Sequence, residues 1–190
     1  MPERLNFEER TTLLKLARQS LINAANDRPD PPLPKGLPAA LLEEGASFVT
    51  LTVSGRLRGC IGTLQAYQPL ANDVRQRAAQ AAVEDYRFPR VRPNEVDAIH
   101  IEISRLTKPV PLAYSNPSEL PELLKPHVDG VVLSDGRRRA TFLPQVWQQL
   151  PDVAEFLSHL CQKMGVQSDL WRREMLEVET YQVEEFEEAE

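Results

Sequence analysis

Residues Ala98 to Leu106, "AIHIEISRL", alternate without a break: Ile99, Ile101 and Ile103 on one side, His100, Glu102 and Ser104 on the other. Successive side chains of a strand point to opposite faces. A sheet containing this strand therefore buries one face and leaves the other polar, the habit of antiparallel sheets rather than of parallel ones buried on both sides. The same alternation sets Glu102 in mid-strand beside Ser104. A carboxylate there is costly unless it is exposed, paired with an arginine or used as an acid or base. Arg58 and Arg87 are the natural partners.

The remaining segments agree with that constraint. Ser47 to Val53 alternates Val49, Leu51 and Val53 against Phe48, Thr50 and Thr52. It turns at Ser54-Gly55 into Leu57 to Cys60. A two-residue turn sets Arg56 opposite Val53, whereas a three-residue loop sets Leu57 opposite Val53, Arg58 beside Thr52 and Cys60 beside Thr50. The second register keeps apolar side chains together, and a one-residue slip would flip every side chain. It puts Arg58 and Cys60 on the polar face. A second hairpin is expected where Val131 to Leu133 and Arg138 to Leu143 flank Ser134-Asp135-Gly136, with its Asp-Gly turn signal. Helices are expected over Asn6 to Asn26, opened by an Asn6/Glu9 capping box with Leu14, Ala17, Leu21 and Ala24 as its stripe; over Pro69 to Val83; and over Pro151 to Met164, stopped by Gly165. Glu177 to Val183 is a last strand candidate. Strands that come as hairpins, with helices not strictly interleaved, predict an α+β fold with a largely antiparallel sheet and flanking helices.

Between the first helix and the first strand lies "RPDPPLPKGLP", Arg28 to Pro38, with five prolines in eleven residues. This composition forbids helix and central strand and leaves an extended connector. The chain closes on an acidic stretch, 184–190.

Net charge −6 and a pI of about 5.2 argue against nucleic acid as a partner. Arg137-Arg138-Arg139 is read as a solvated strand edge. No phosphate-cradling glycine loop and no H-E-x-x-H is present, and His100, His127 and His159 are too scattered for a metal; no cofactor and no metal are expected. Cys60 and Cys161 form no C-x-x-C pair. The first residues lack a signal-peptide core and no apolar run reaches membrane-spanning length, so a cytoplasmic protein with reduced thiols and no membrane contact is expected.

Cys161 lies on an apolar helix stripe and reads as a small buried hydrophobe. Cys60 differs. With Arg58 on its side of the strand, a guanidinium would favour the thiolate. Gly59 and Gly62 remove side chains around it, either to let a ligand approach the backbone or to mark a β-bulge with Cys60 filling a small gap. "DYRF" sets Asp85 two positions from Arg87, as a loop-fixing ion pair or as an arginine that binds an anion bidentately. Together these residues predict a cleft lined by Arg58, Cys60, Arg87, Glu102 and Ser104.

"LRGCIGTL" (Leu57 to Leu64) resembles the signature of the AMMECR family. "DYRF" (Asp85 to Phe88), "IEIS" (Ile101 to Ser104), "TFLPQVW" (Thr141 to Trp147), "FLSHLCQKMG" (Phe156 to Gly165) and "VETYQVEEF" (Val178 to Phe186) follow in the family's order, so the resemblance runs from about Phe48 to Phe186. It implies two unequal lobes around an antiparallel sheet with a cleft between them, and a single AMMECR-type domain over 1–190 containing the connector 28–38 and the acidic tail 184–190. The bacterial members are named as protein A of the AmmeMemoRadiSam system, which implies a Memo-like protein and a radical SAM protein as possible partners. It implies no settled reaction. Two readings stay open: an enzyme or small-molecule binder, with Cys60 and Glu102 as chemical groups and Arg58, Gly59, Gly62, Asp85, Arg87 and Ser104 holding the ligand; or a non-catalytic adaptor for those partners. Association with nucleic acid is the weaker third.

Overall fold

Asn6 accepts the Glu9 N–H at 3.0 Å while the Glu9 carboxylate accepts the Asn6 N–H at 2.8 Å, closing the box read in the sequence. It opens α1 (Phe7–Ala25) of the computed structural model, which describes residues 4–189. The chain divides into two compact units, one built from the chain through Leu106 together with the segment from Glu184 onward, the other from Thr107–Val183.

In the first unit α1 is followed by α2 (Ala39–Leu42), β1 (Ala46–Val53), β2 (Arg56–Gly62), α3 (Leu70–Val83), a 3₁₀ turn (Pro93–Ala98) and β3 (Ile99–Leu106). The sheet has the order β2-β1-β3 and ends on a strand from the far end of the chain, Val183–Glu187. β1 pairs antiparallel with both neighbours, Val49 and Leu51 facing Ile103 and Ile101. These apolar side chains pack with Leu13, Ala17 and Leu21 of α1 and Val74, Ala78 and Ala81 of α3. The α1 stripe is thus rotated from the expected one: Leu13 is fully buried, while Leu14 and Ala24 are only partly so. The polar face of the sheet, on which Thr50, Cys60 and Glu102 lie, is the one away from this core.

In the second unit the chain forms β4 (Val110–Pro111), α4 (Leu120–Leu123), β5 (Gly130–Ser134), β6 (Arg139–Phe142), α5 (Val153–Met164), α6 (Leu170–Arg173) and β7 (Glu177–Tyr181), with α4 preceded and α5 preceded by short 3₁₀ turns. Its sheet runs β4-β7-β5-β6, every pair antiparallel. Its core stacks Trp147 on Phe156, ring centroids 3.6 Å apart, with Phe142 edge-on. Cys161 is fully buried there, and burial pushes its thiol up. Gly165 ends α5 at φ 83°, as the sequence indicates.

The acidic stretch expected as a tail is instead β8 (Val183–Glu187), the fourth strand of the first sheet. Alternation explains it. Glu184 is buried and accepts from Arg10 at 2.6 Å, Arg105 at 3.2 Å and the Leu5 N–H at 3.3 Å. Phe186 packs into the core and Glu188 is held by Arg18 and the Ile101 N–H. One face of a run that reads as charge is thus neutralised by arginines distant in sequence.

Candidate functional site

The turn from β1 into β2 satisfies both registers considered for it. Ser54 and Gly55 have φ of 50° and 72°, a two-residue turn that sets Arg56 opposite Val53. Thr52 faces Leu57, but Leu51 faces Gly59 and Thr50 faces Cys60. One residue, Arg58, is left without a partner: a β-bulge, which bends the strand and re-aims a side chain.

The bulge decides what Arg58 does. Its guanidinium runs to the segment after α3, donating to both carboxylate oxygens of Glu95 at 3.1 and 3.2 Å and to the Pro89 carbonyl at 2.8 Å. The Arg92 N–H, together with Arg58, holds the Glu95 carboxyl below its ordinary range against its burial. Arg58 therefore does not stand beside the thiol or reach Glu102.

The glycines answer to packing. A Cβ at Gly59 would lie 2.2 Å from the Ala81 carbonyl oxygen of α3, and one at Gly62 would lie 2.2 Å from the Phe48 ring. β2 can approach α3 this closely, and Phe48 can lie across the strand, only where side chains are missing.

β2 is an edge strand. Thr63 donates to the Ser47 carbonyl, so alternation turns the N–H and C=O of Cys60 outward from the sheet. Both meet the "DYRF" segment. The Asp85 carboxylate accepts the Cys60 N–H at 2.8 Å, and Arg87 donates to the Cys60 carbonyl at 3.1 Å. Arg87 also donates to Asp85 at 2.7 and 2.9 Å. An acceptor and a donor tied to each other thus occupy the place of a neighbouring strand. Asp85 is buried, and the Arg87 guanidinium, aided by the N–H groups of Cys60 and Arg87, holds its carboxyl well below the usual carboxylate range.

With its peptide group fixed on the edge, the Cys60 thiol sits half-buried on the polar face and receives the Thr50 hydroxyl at 3.3 Å. Thr50 pairs with Glu102 on its other side. Cys60, Thr50 and Glu102 form one row across three strands, and Gly62, Phe48 and Ser104 the next. Strand spacing sets Cys60 and Glu102 about 10 Å apart at the backbone. Neither arginine reaches Glu102, and among the described residues no hydrogen bond or ion pair does. Burial, then Glu185 and Glu187 nearby, push its carboxyl up, with His100 opposing. His100 itself pairs with Glu187 at 3.1 Å.

Of the eight residues singled out in the sequence, Cys60 and Glu102 share a row, and Gly62 and Ser104 lie in the adjoining one. Asp85 and Arg87 bind the backbone behind Cys60. Arg58 and Gly59 face elsewhere. Thr50 and His100 belong to this face as well; the alternation of their strands carried that information, and only the register aligns them with Cys60 and Glu102.

The AMMECR1 family profile matches residues 14–186. The chain belongs to the AMMECR1 family. It is 38% identical to a Thermofilum pendens protein over 96% of its own length and 91% of the relative's, and 36% identical to one from Methanothermobacter thermautotrophicus over 97% and 96%. The crystal structure of an uncharacterized protein from Pyrococcus horikoshii is similar to it at a TM-score of 0.76 and 33% identity, covering 97% of this chain and 93% of that one. The match from residue 14 takes in the proline-rich connector. No helix among the described residues is long and apolar enough to cross a membrane.

Proposed function

We propose that the polar face of the first sheet binds a small molecule or a segment of a partner protein, with Cys60 as the reactive thiol and Glu102 as the proton-carrying group across the row. The observation that carries this reading is the asymmetric fixing of Cys60. Its peptide group is held on both sides by Asp85 and Arg87, while its thiol accepts the Thr50 hydroxyl, the one side-chain hydrogen bond found for it among the described residues, and the residue stays partly exposed. A backbone so constrained positions a side chain as a binding site requires. Glu102, unpartnered and shifted toward its protonated form, can donate or accept a proton at the other end of the same row. In the adjoining row the Phe48 ring fills the space over Gly62 and Ser104 is buried, so the ligand would meet the row of Cys60, Thr50 and Glu102.

A second reading has its own support. Arg58 and Arg87, the expected anion anchors, are engaged by Glu95 and Asp85. This favours recognition without chemistry, in an adaptor whose partners would be the Memo-like and radical SAM proteins that the family's bacterial members are named for. Alkylation by iodoacetamide across a pH series, read at Cys60 and Cys161 by peptide mass, separates the two. Reaction at Cys60 faster than at a model thiol, slowed by Thr50→Val, with Cys161 inert, supports the thiol reading. A rate equal to a model thiol's and indifferent to Thr50→Val leaves the adaptor; no reaction at Cys60 in the folded chain means that the thiol is packing.

A further inference from the structure

Exposure along Arg28 to Lys35 repeats every third residue. Asp30 and Leu33 are half-buried, whereas Arg28, Pro29, Pro31, Pro32, Pro34 and Lys35 are all exposed. A period of three is that of the polyproline II helix, which has three residues per turn and no internal hydrogen bonds. None of the backbone hydrogen bonds among the described residues has both ends within 29–35, and a turn follows at Lys35-Gly36. The inward ridge is fastened. Asp30 accepts from Ser20, from Asn23 at 2.8 Å and pairs with Arg75 at 3.4 Å. Arg75 also donates to the Pro31 carbonyl, and Leu33 packs against the first unit's core. Gly36, at φ 79°, ends the ribbon.

We propose that this ribbon is a recognition element for a partner domain whose groove is lined by aromatic side chains and flanked by carboxylates. Proline-reading grooves take two adjacent ridges of a polyproline II prism between aromatic rings. Here the two outward ridges, Arg28/Pro31/Pro34 and Pro29/Pro32/Lys35, carry four of the connector's five prolines. The fastening through Asp30 and Leu33 removes the ordering cost that a free proline-rich peptide meets on binding. Charge selects the partner. A cation stands at each end of the ribbon, and no ion pair to Arg28 or Lys35 is found among the described residues, while Asp30, the only acid between them, is turned inward. This element is separate from the Cys60 face and does not depend on the reading of that face.

Isothermal titration of the intact chain with three purified proline-reading domains, one each of the SH3, WW and EVH1 types, tests it. At least one is expected to bind with a Kd on the order of 10–100 μM. Pro31→Ala/Pro32→Ala should weaken that binding at least tenfold, to about 100 μM–1 mM. Arg28→Glu/Lys35→Glu, two exposed positions that leave the fold untouched, should weaken it as well. The proposal is overturned if none of the three domains binds at about 1 mM, or if binding is indifferent to both double substitutions.

Discussion

Gly59→Ala is the sharpest test of why the stretch from Leu57 to Leu64 carries its glycines. The added methyl would start 2.2 Å from the Ala81 carbonyl oxygen, and ordinary contact begins at 3.4 Å. β2 and α3 must therefore separate by about 1 Å, and the obstacle is helix backbone with no rotamer to change. Ala81 is itself buried and Val74 and Ala78 of α3 sit in the same core, so the movement loosens packing along the helix. Overpacking a tight interior costs about 1–3 kcal/mol, and a backbone obstacle belongs at the upper end, near 3 kcal/mol. For a unit of this size that lowers the melting temperature by about 10 °C or more. Thermal unfolding followed by far-UV circular dichroism reads the loss. Both tryptophans, Trp147 and Trp171, lie in the second unit, so their fluorescence reports whether the damage stays in the first. Cys60→Ala, one residue on, meets no such obstacle and serves as the control. A loss below about 1 kcal/mol for Gly59→Ala would refute the packing account and return Gly59 to the ligand-approach reading.

Asp85→Asn removes charge from a buried group that holds four N–H donors, and should cost about 3 kcal/mol and speed hydrogen exchange at the Cys60 amide. Because the folded-state carboxyl of Asp85 lies below its unfolded value of 3.8, its contribution is present above about pH 4 and is lost only as pH falls toward the folded value, so acid unfolding of Asp85→Asn should be less steep there. Glu102 has the opposite sign. Its carboxyl is raised from 4.5, so ionisation opposes folding; Glu102→Gln should raise the melting temperature at pH 7 and lose that advantage below about pH 4. Phe156→Ala removes the ring stacked on Trp147 and should destabilise the second unit by about 3–5 kcal/mol, seen as an early fluorescence transition.

Periodicity made the frame legible. β1, β3, α1, α3 and α5 follow from alternation or helical spacing of apolar residues, and the capping box and Gly165 marked two of their ends to within a residue or two. What escaped is what depends on partners remote in the chain. β8 reads as an acidic tail because Arg10, Arg18 and Arg105 lie far from it in sequence. The bulge at Arg58 escaped because each of two whole registers was locally acceptable, and the strand uses one on each side of the extra residue. Once the bulge turns Arg58 toward Glu95, the pairing of Arg58 with Glu102 expected from their residue types is lost. Asp85 and Arg87 were legible as an ion pair, but the Cys60 peptide they hold was not, since nothing local says that β2 is an edge.

The second unit interrupts the first, between β3 and β8, and its two ends are tied to each other: Thr107 donates to the Gln182 carbonyl at 2.8 Å and Gln182 to the Thr107 hydroxyl at 2.8 Å. On the ribosome this ordering matters. Everything from α1 to β3 emerges before the strand that carries Glu184 and Glu188 has been made, and at ordinary synthesis rates the wait is on the order of seconds. During that interval Arg10 and Arg18 lack Glu184 and Glu188, and β3 has a bare edge. The inserted unit can close on its own ends in the meantime. The nascent first unit then depends on the codons for β8, so a loss of that strand would reach back to the helix that was translated first.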